Sequence, residues 1–132
     1  MFNEIQGLKD VANRLKREAD YVVEIGSNED GWHWRKWNSG YAECWISWKG
    51  TVSNYTSTAG MGACTYAFIK FWDLPFAFIE RYSKTATAQV GSGYGIVSSG
   101  GLNDTLDKVC LHWVSNTTGA STVNIHIKGK WK

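Results

Sequence analysis

The chain has 132 residues, a length that suits one domain with a modest hydrophobic core. Hydrophobic residues make up 43% and charged residues 20%, a composition that excludes an intrinsically disordered protein. The net charge of +2 does not indicate a nucleic-acid-binding protein, and no apolar stretch approaches the roughly 20 residues needed to span a membrane.

The first 22 residues predict a helix with heptad periodicity. Its apolar residues follow one another at spacings of three, four, three, four and three, as the a and d positions of a coiled coil do. The alternative is an amphipathic helix packed on its own domain, which would have a wider apolar stripe. We expect residues 1–22 to be the end of a coiled-coil stalk. The apolar seam consists of Ile5, Leu8, Ala12, Leu15, Ala19 and Val22.

After residue 22 the hydrophobic pattern changes to the period of two that is typical of strands. Runs at 32–37 and 41–48, joined by the turn Asn38-Ser39-Gly40, predict a β-hairpin. Residues 23–132 are expected to form six to eight antiparallel strands in an all-β sandwich, with a barrel as the other architecture. The remaining predicted strands cover 63–72, 77–82, 85–90, 94–97, 108–114 and 122–128, and predicted turns cover 57–62, 91–93, 98–103 and 115–121.

The alternation of side chains assigns the two faces of the hairpin. The second strand has a small, apolar set of residues that we expect to face the core: Ala42, Cys44, Ile46 and Trp48. Glu43 lies on the other face, where Arg35 or Lys36 is expected to form a cross-strand ion pair with it. An odd number of cysteines without a CxxC motif predicts buried, unpaired thiols at Cys44, Cys64 and Cys110.

The hairpin also carries a resemblance to a known family. Residues 31–45, GWHWRKWNSGYAECW, resemble a motif of bacteriophage tail-fibre and baseplate (minor tail) proteins of the Gram-positive phage type, in which W-x-Y-R-K-W is followed by a Gly-containing turn and A-E-C-W. The flanking segment 20–24, DYVVE, is similar to the segment that precedes this motif in such tail proteins. More loosely, 74–78, LPFAF, resembles a segment that follows a related hairpin in tail fibres of Gram-negative phages, and 129–132, GKWK, resembles the end of such chains. Trp34 stands where Tyr is more usual, and Ile46 where Gly is.

This resemblance implies a trimeric receptor-binding tip domain at the end of a stalk. A dimer is the main alternative, because Ile at a with Leu at d favours two strands in a parallel coiled coil. The partners of the trimeric tip would be two further copies of the chain, other phage tail proteins, and a host cell-wall polysaccharide or teichoic acid, with neither nucleic acid nor a membrane. The protein would be made in the bacterial cytoplasm and end up in the virion, since the polar start MFNEIQGLKD is unlike a signal peptide. A motif shared by proteins that bind different hosts is interpreted as scaffold, so Trp45 is expected to be buried and Trp45→Ala to impair folding.

The sequence predicts non-enzymatic adhesion, without a cofactor, a metal site or catalytic residues. Sugar binding needs flat aromatic rings beside hydrogen-bonding groups, which makes Trp72, Asp73 and Tyr94 the candidate ligand-binding residues. One alternative is a structural trimerisation or connector domain. A glycan hydrolase is the other, but no motif pairs the carboxylates that hydrolysis would need, namely Glu43, Asp73, Glu80, Asp104 and Asp107.

Overall fold

The computed structural model describes residues 2–57, 62–98 and 103–132, and the side chains of 2–4 and 15–18 lie outside this description. The Leu15 side chain of the predicted seam and much of the predicted turns 57–62 and 98–103 therefore lie outside this description. The elements are α1 (Phe2–Glu18), β1 (Val22–Ser27), β2 (His33–Trp37), β3 (Tyr41–Thr51), β4 (Tyr55–Thr56), β5 (Tyr66–Asp73), β6 (Ser83–Val90), β7 (Gly95–Val97), β8 (Lys108–Ser115) and β9 (Ala120–Lys130).

The strands form two antiparallel sheets. Sheet A has the order β1-β2-β3-β9-β6, and sheet B has the order β4-β5-β8-β7. Their inner faces share one core, in which Ile46 and Ile125 of sheet A join Phe68 and Trp113 of sheet B. The prediction of an antiparallel, sandwich-like β domain after one N-terminal helix is confirmed at this level.

The hairpin β2–β3 forms as predicted. Ala42, Cys44 and Ile46 are buried, at 0%, 0% and 2% exposure, so the predicted core face is confirmed. Arg35 lies opposite Glu43 and forms the expected cross-strand ion pair. Gly40 ends the turn with a φ of +98°, and a Cβ there would come 2.7 Å from the carbonyl oxygen of Lys132. Both constraints require glycine at this position.

Two features of the β domain differ from the prediction. Residues 77–82 form no strand, because their backbone groups bond to two separate segments instead of one ladder. The N–H of Phe78 donates to the carbonyl of Leu106 and the N–H of Ile79 to that of Lys130, both at 2.9 Å. The side chain of Phe78 fills the core from this loop, at 2% exposure. The second difference is that β1 and the two-residue β4 are strands that the sequence pattern did not predict.

The helix stands apart from the β domain. It ends at Glu18, four residues before the predicted boundary, and Val22 opens β1 instead of closing the apolar seam. Within the described residues α1 contacts no other element, so it is not an amphipathic helix packed on its own domain. Its Ile5 and Leu8 side chains are 50% and 71% exposed, which leaves its apolar seam in contact with solvent.

Candidate functional site

The outer face of sheet A carries a cluster of charged and aromatic side chains. We call it the outer-face cluster. The alternation of β2, β3 and β9 turns five side chains away from the core and side by side, and this antiparallel register brings together residues as far apart in sequence as Glu43 and His126. The cluster consists of His33, Arg35, Glu43, Trp45 and His126.

Glu43 lies at the centre of this cluster. Its side chain is only 8% exposed, although it points away from the core, because the neighbouring side chains cover it. The guanidinium of Arg35 donates to Oε1, and Nε2 of His126 donates to Oε2 at 3.0 Å. Both carboxylate oxygens are therefore bound by cations or donors from the adjacent strands, an arrangement that fixes all three side chains.

Trp45 is held in one orientation by the same cluster. The ring of His33 stacks on it at 5.9 Å between centroids and 18° between planes, and His126 meets it edge-on at 6.1 Å. The Arg35 guanidinium lies 5.3 Å from the Trp45 ring centroid, within the range of a cation–π contact. Because Trp45 is only partly buried and lies on the outer face, the expectation of a buried Trp at this position is wrong.

A groove of about 410 Å³ runs beside Trp45 across β3, β9 and β6. Its floor is formed by the backbone of these strands, and its uncharged polar groups are hydroxyls and one amide. These hydroxyl and amide side chains have no hydrogen-bond partner within the part of the chain that the structure describes, so they are available to a ligand. The outward-facing side chains that line the groove are Trp45, Ser47, Thr85, Thr87, Asn124 and His126, and the inward-facing residues Ile46, Ala86 and Ile125 between them also line it.

The three residues that the sequence predicted to bind a ligand do not lie together in one site. Trp72 is only 7% exposed and packs edge-on against Trp48 at 5.8 Å, so the expectation of an accessible ring is wrong. Asp73 is exposed and pairs with Lys108 at 3.4 Å, at the first residue of β8. Tyr94 is 61% exposed and donates its N–H to Asn116, just beyond the last residue of β8. An eight-residue strand separates the two ends by roughly 25 Å.

The carboxylates that a hydrolase would need are each engaged separately. Glu43 is bound as described above, and Asp104 lies 2.9 Å from Nζ of Lys84. No group of three or more metal-ligating side chains occurs among the described residues. In the same part of the chain, no helix is long and apolar enough to cross a membrane. The remaining pairs are Asp73 with Lys108, Glu80 with Lys130, and Asp107 with the hydroxyl of Thr105.

All three cysteines are buried and unpaired, as the sequence predicted. Burial raises the pKa of the Cys44 thiol to about 12, with a further contribution from Glu43, and burial also raises the pKa of Cys110. Because the thiolate is the reactive form, neither thiol should react in the folded protein.

We therefore expect iodoacetamide at pH 8 to leave Cys44 and Cys110 unmodified in the native protein and to modify them in urea. Peptide mass spectrometry reads out each site. A raised folded-state pKa also means that Cys44 stabilises the fold below pH 9 and loses this contribution as the pH rises towards 12. Rapid alkylation of native Cys44 would contradict its place between the sheets.

No family model, no curated protein and no solved structure matches this chain.

Proposed function

We propose that this chain is the tip domain of a bacteriophage tail fibre or baseplate, and that its groove on sheet A binds a glycan of the host cell surface without catalysis. The observation that carries the glycan site is the position of Trp45 beside a row of unpartnered hydroxyl and amide groups. The phage assignment is supported by the tail-protein motif of residues 31–45, which contains Trp45 and three further members of the outer-face cluster.

The chemistry of the groove suits a sugar ring. A pyranose has an apolar face that packs against an aromatic ring and a rim of hydroxyls that needs hydrogen-bond partners. Trp45 offers the aromatic surface, and Asn124, Thr85 and Thr87 offer both donors and acceptors. A volume of about 410 Å³ lies within the usual range for small-molecule sites.

The charge of the groove favours a neutral polysaccharide over teichoic acid. Its exposed polar groups are hydroxyls, one amide and the His126 imidazole, and the imidazole is already bound to Glu43. The net charge of the chain is +2, which offers little long-range attraction to an anionic polymer. Binding should accordingly depend only weakly on salt concentration, whereas a teichoic acid read by Lys and Arg side chains would be released by salt.

Assembly into a homotrimer through α1 is part of the proposal. The helix has an exposed apolar seam and contacts none of the described strands, which is the condition in which copies of a helix associate. Three linked groove sites on one trimer, and several trimers on one virion, would raise a weak single-site affinity through avidity.

Substitutions in the groove test the site directly. We expect Trp45→Ala to weaken binding to host cell walls by about 30-fold, because a Trp that anchors a ligand contributes roughly 2 kcal/mol or more. Asn124→Ala should weaken binding by roughly tenfold through the lost hydrogen bonds. Binding of labelled protein to purified walls from a panel of Gram-positive species measures both effects, and thermal melting confirms that the variants fold.

Asp73→Ala and Tyr94→Ala are the matched controls, because both residues are exposed and lie outside the groove. If these two variants lose wall binding while Trp45→Ala binds normally, the glycan site lies on sheet B and not in the groove. The alternative function, a structural connector domain, is also compatible with a helix α1 that stands apart from the β domain. It predicts an oligomer that assembles normally but does not bind host cell walls. Release of soluble sugar from the walls would indicate a hydrolase.

A further inference from the structure

We infer that strand β1 is the surface through which the β domains of neighbouring copies of this chain meet. Exposed large apolar side chains are concentrated there. Among the described residues, the other four strands of sheet A have none, whereas β1 has three. Val22, Val23 and Ile25 are 39%, 46% and 73% exposed, and Ile25 is the most exposed large apolar side chain that the structure describes.

The exposed seam of α1 indicates that another copy of this chain covers the surface of β1. Ile5 and Leu8 are exposed on a helix that touches no other described element, and their spacing belongs to a heptad seam. A seam of this kind is covered by parallel copies of the same helix. Parallel copies bring the chain segments that directly follow the helix close to one another, and β1 is the first of these segments.

The connection between α1 and β1 is short and fixed. Only Ala19, Asp20 and Tyr21 separate the two elements, and three residues span at most about 10 Å. The Asp20 carboxylate accepts a hydrogen bond from the Ser39 hydroxyl at 2.9 Å, and the Tyr21 carbonyl accepts one from the N–H of Asn38 at 2.9 Å. The linker is thus attached to the β2–β3 turn, so β1 cannot move far from the end of α1.

The edge position of β1 and its charge also suit a contact between copies. Among the described strands β1 pairs with β2 alone, which leaves its other edge open to a neighbour. Its single charged residue, Glu24, is satisfied within its own chain by Nε1 of Trp34 at 2.7 Å and Nζ of Lys36 at 3.1 Å. These two partners lower the pKa of Glu24, and they also leave little uncompensated charge to oppose the approach of a second β1.

Cross-linking tests this surface. We expect Ile25→Cys, treated with diamide or a short bis-maleimide, to give covalent dimers on a non-reducing gel. Ile96→Cys is the matched control, because it replaces an isoleucine of 56% exposure on β7 of sheet B and should stay monomeric on the gel. The three native cysteines are buried, so the introduced thiol is the accessible one.

Sedimentation of the full chain supplies the second measurement. Ile25→Lys should raise the dissociation constant of the oligomer by about tenfold or more, and Ile96→Lys should leave it unchanged. A parent chain that sediments as a monomer at micromolar concentration overturns the inference. So does an oligomer of the Ile25→Cys variant that gives no covalent dimer. The inference rests on the proposed association of α1, which sedimentation of the parent chain tests by itself. Neither experiment involves a glycan, so the outcome is independent of the proposed glycan binding.

Discussion

Replacing Trp113 with alanine is expected to cost about 3–5 kcal/mol of the free energy of unfolding. Trp113 is 2% exposed, and its ring stacks on Phe68 at 5.4 Å with 10° between the planes. It joins the inner face of sheet B to the shared core, so truncation removes apolar contacts with both sheets and leaves a cavity. A loss of this size is a large part of the typical stability of a domain, which is about 5–15 kcal/mol.

Urea denaturation followed by circular dichroism measures this effect. Trp113→Phe should cost less than Trp113→Ala, because a phenyl ring keeps the stack and removes an indole N–H that has no hydrogen-bond partner in the described structure. Tyr94→Ala is the control at an exposed aromatic residue and should change stability by no more than about 0.5 kcal/mol. All variants are compared at one protein concentration, since association of copies would stabilise the fold. Equal unfolding midpoints for Trp113→Ala and Tyr94→Ala would contradict the core described above.

The sequence was sufficient to predict the parts of the fold that depend on local pattern. The hairpin follows from alternation on either side of a turn that ends in Gly40, and the pairing of Arg35 with Glu43 follows from the same register. The 77–82 segment shows the limit of this reasoning. Its apolar residues are typical of a strand, but the N–H of Phe78 donates its hydrogen bond to the carbonyl of Leu106. This is a tertiary contact that no local sequence pattern predicts.

The groove could not be predicted because it depends on strand order. Thr87 alternates with alanines in β6, a pattern that reveals an outward-facing polar row but not which strand lies beside it. Only the order β3-β9-β6 brings Asn124 and Thr87 next to Trp45. The expectation of an accessible Trp72 ring is wrong for a simpler reason. Neighbouring residues of a strand point to opposite faces, so the exposure of Asp73 is linked to the burial of Trp72.

Replacing Lys84 with methionine should be as damaging as the loss of a core Trp, with an expected cost of about 3–5 kcal/mol. The Lys84 and Asp104 side chains are 7% and 16% exposed, and Nζ lies 2.9 Å from Oδ2. Nζ also donates to the carbonyl of Cys110 at 2.7 Å, and Oδ1 accepts the N–H of Cys110 at 2.8 Å. These bonds join β6 of sheet A to β8 of sheet B, so the substitution leaves a nearly buried carboxylate without its ammonium group.

A matched surface pair separates burial from charge in this prediction. Lys108 and Asp73 are 49% and 80% exposed at 3.4 Å, so Lys108→Met should cost less than about 1 kcal/mol. The double variant Lys84→Met/Asp104→Asn should recover part of the loss, because it removes both charges together. Together with the single variant Asp104→Asn it completes a double-mutant cycle, which measures the coupling between the two side chains. Urea unfolding midpoints give all these values. If Lys84→Met and Lys108→Met unfold at the same urea concentration, the buried pair does not hold the two sheets together, and the shared hydrophobic core alone accounts for their packing.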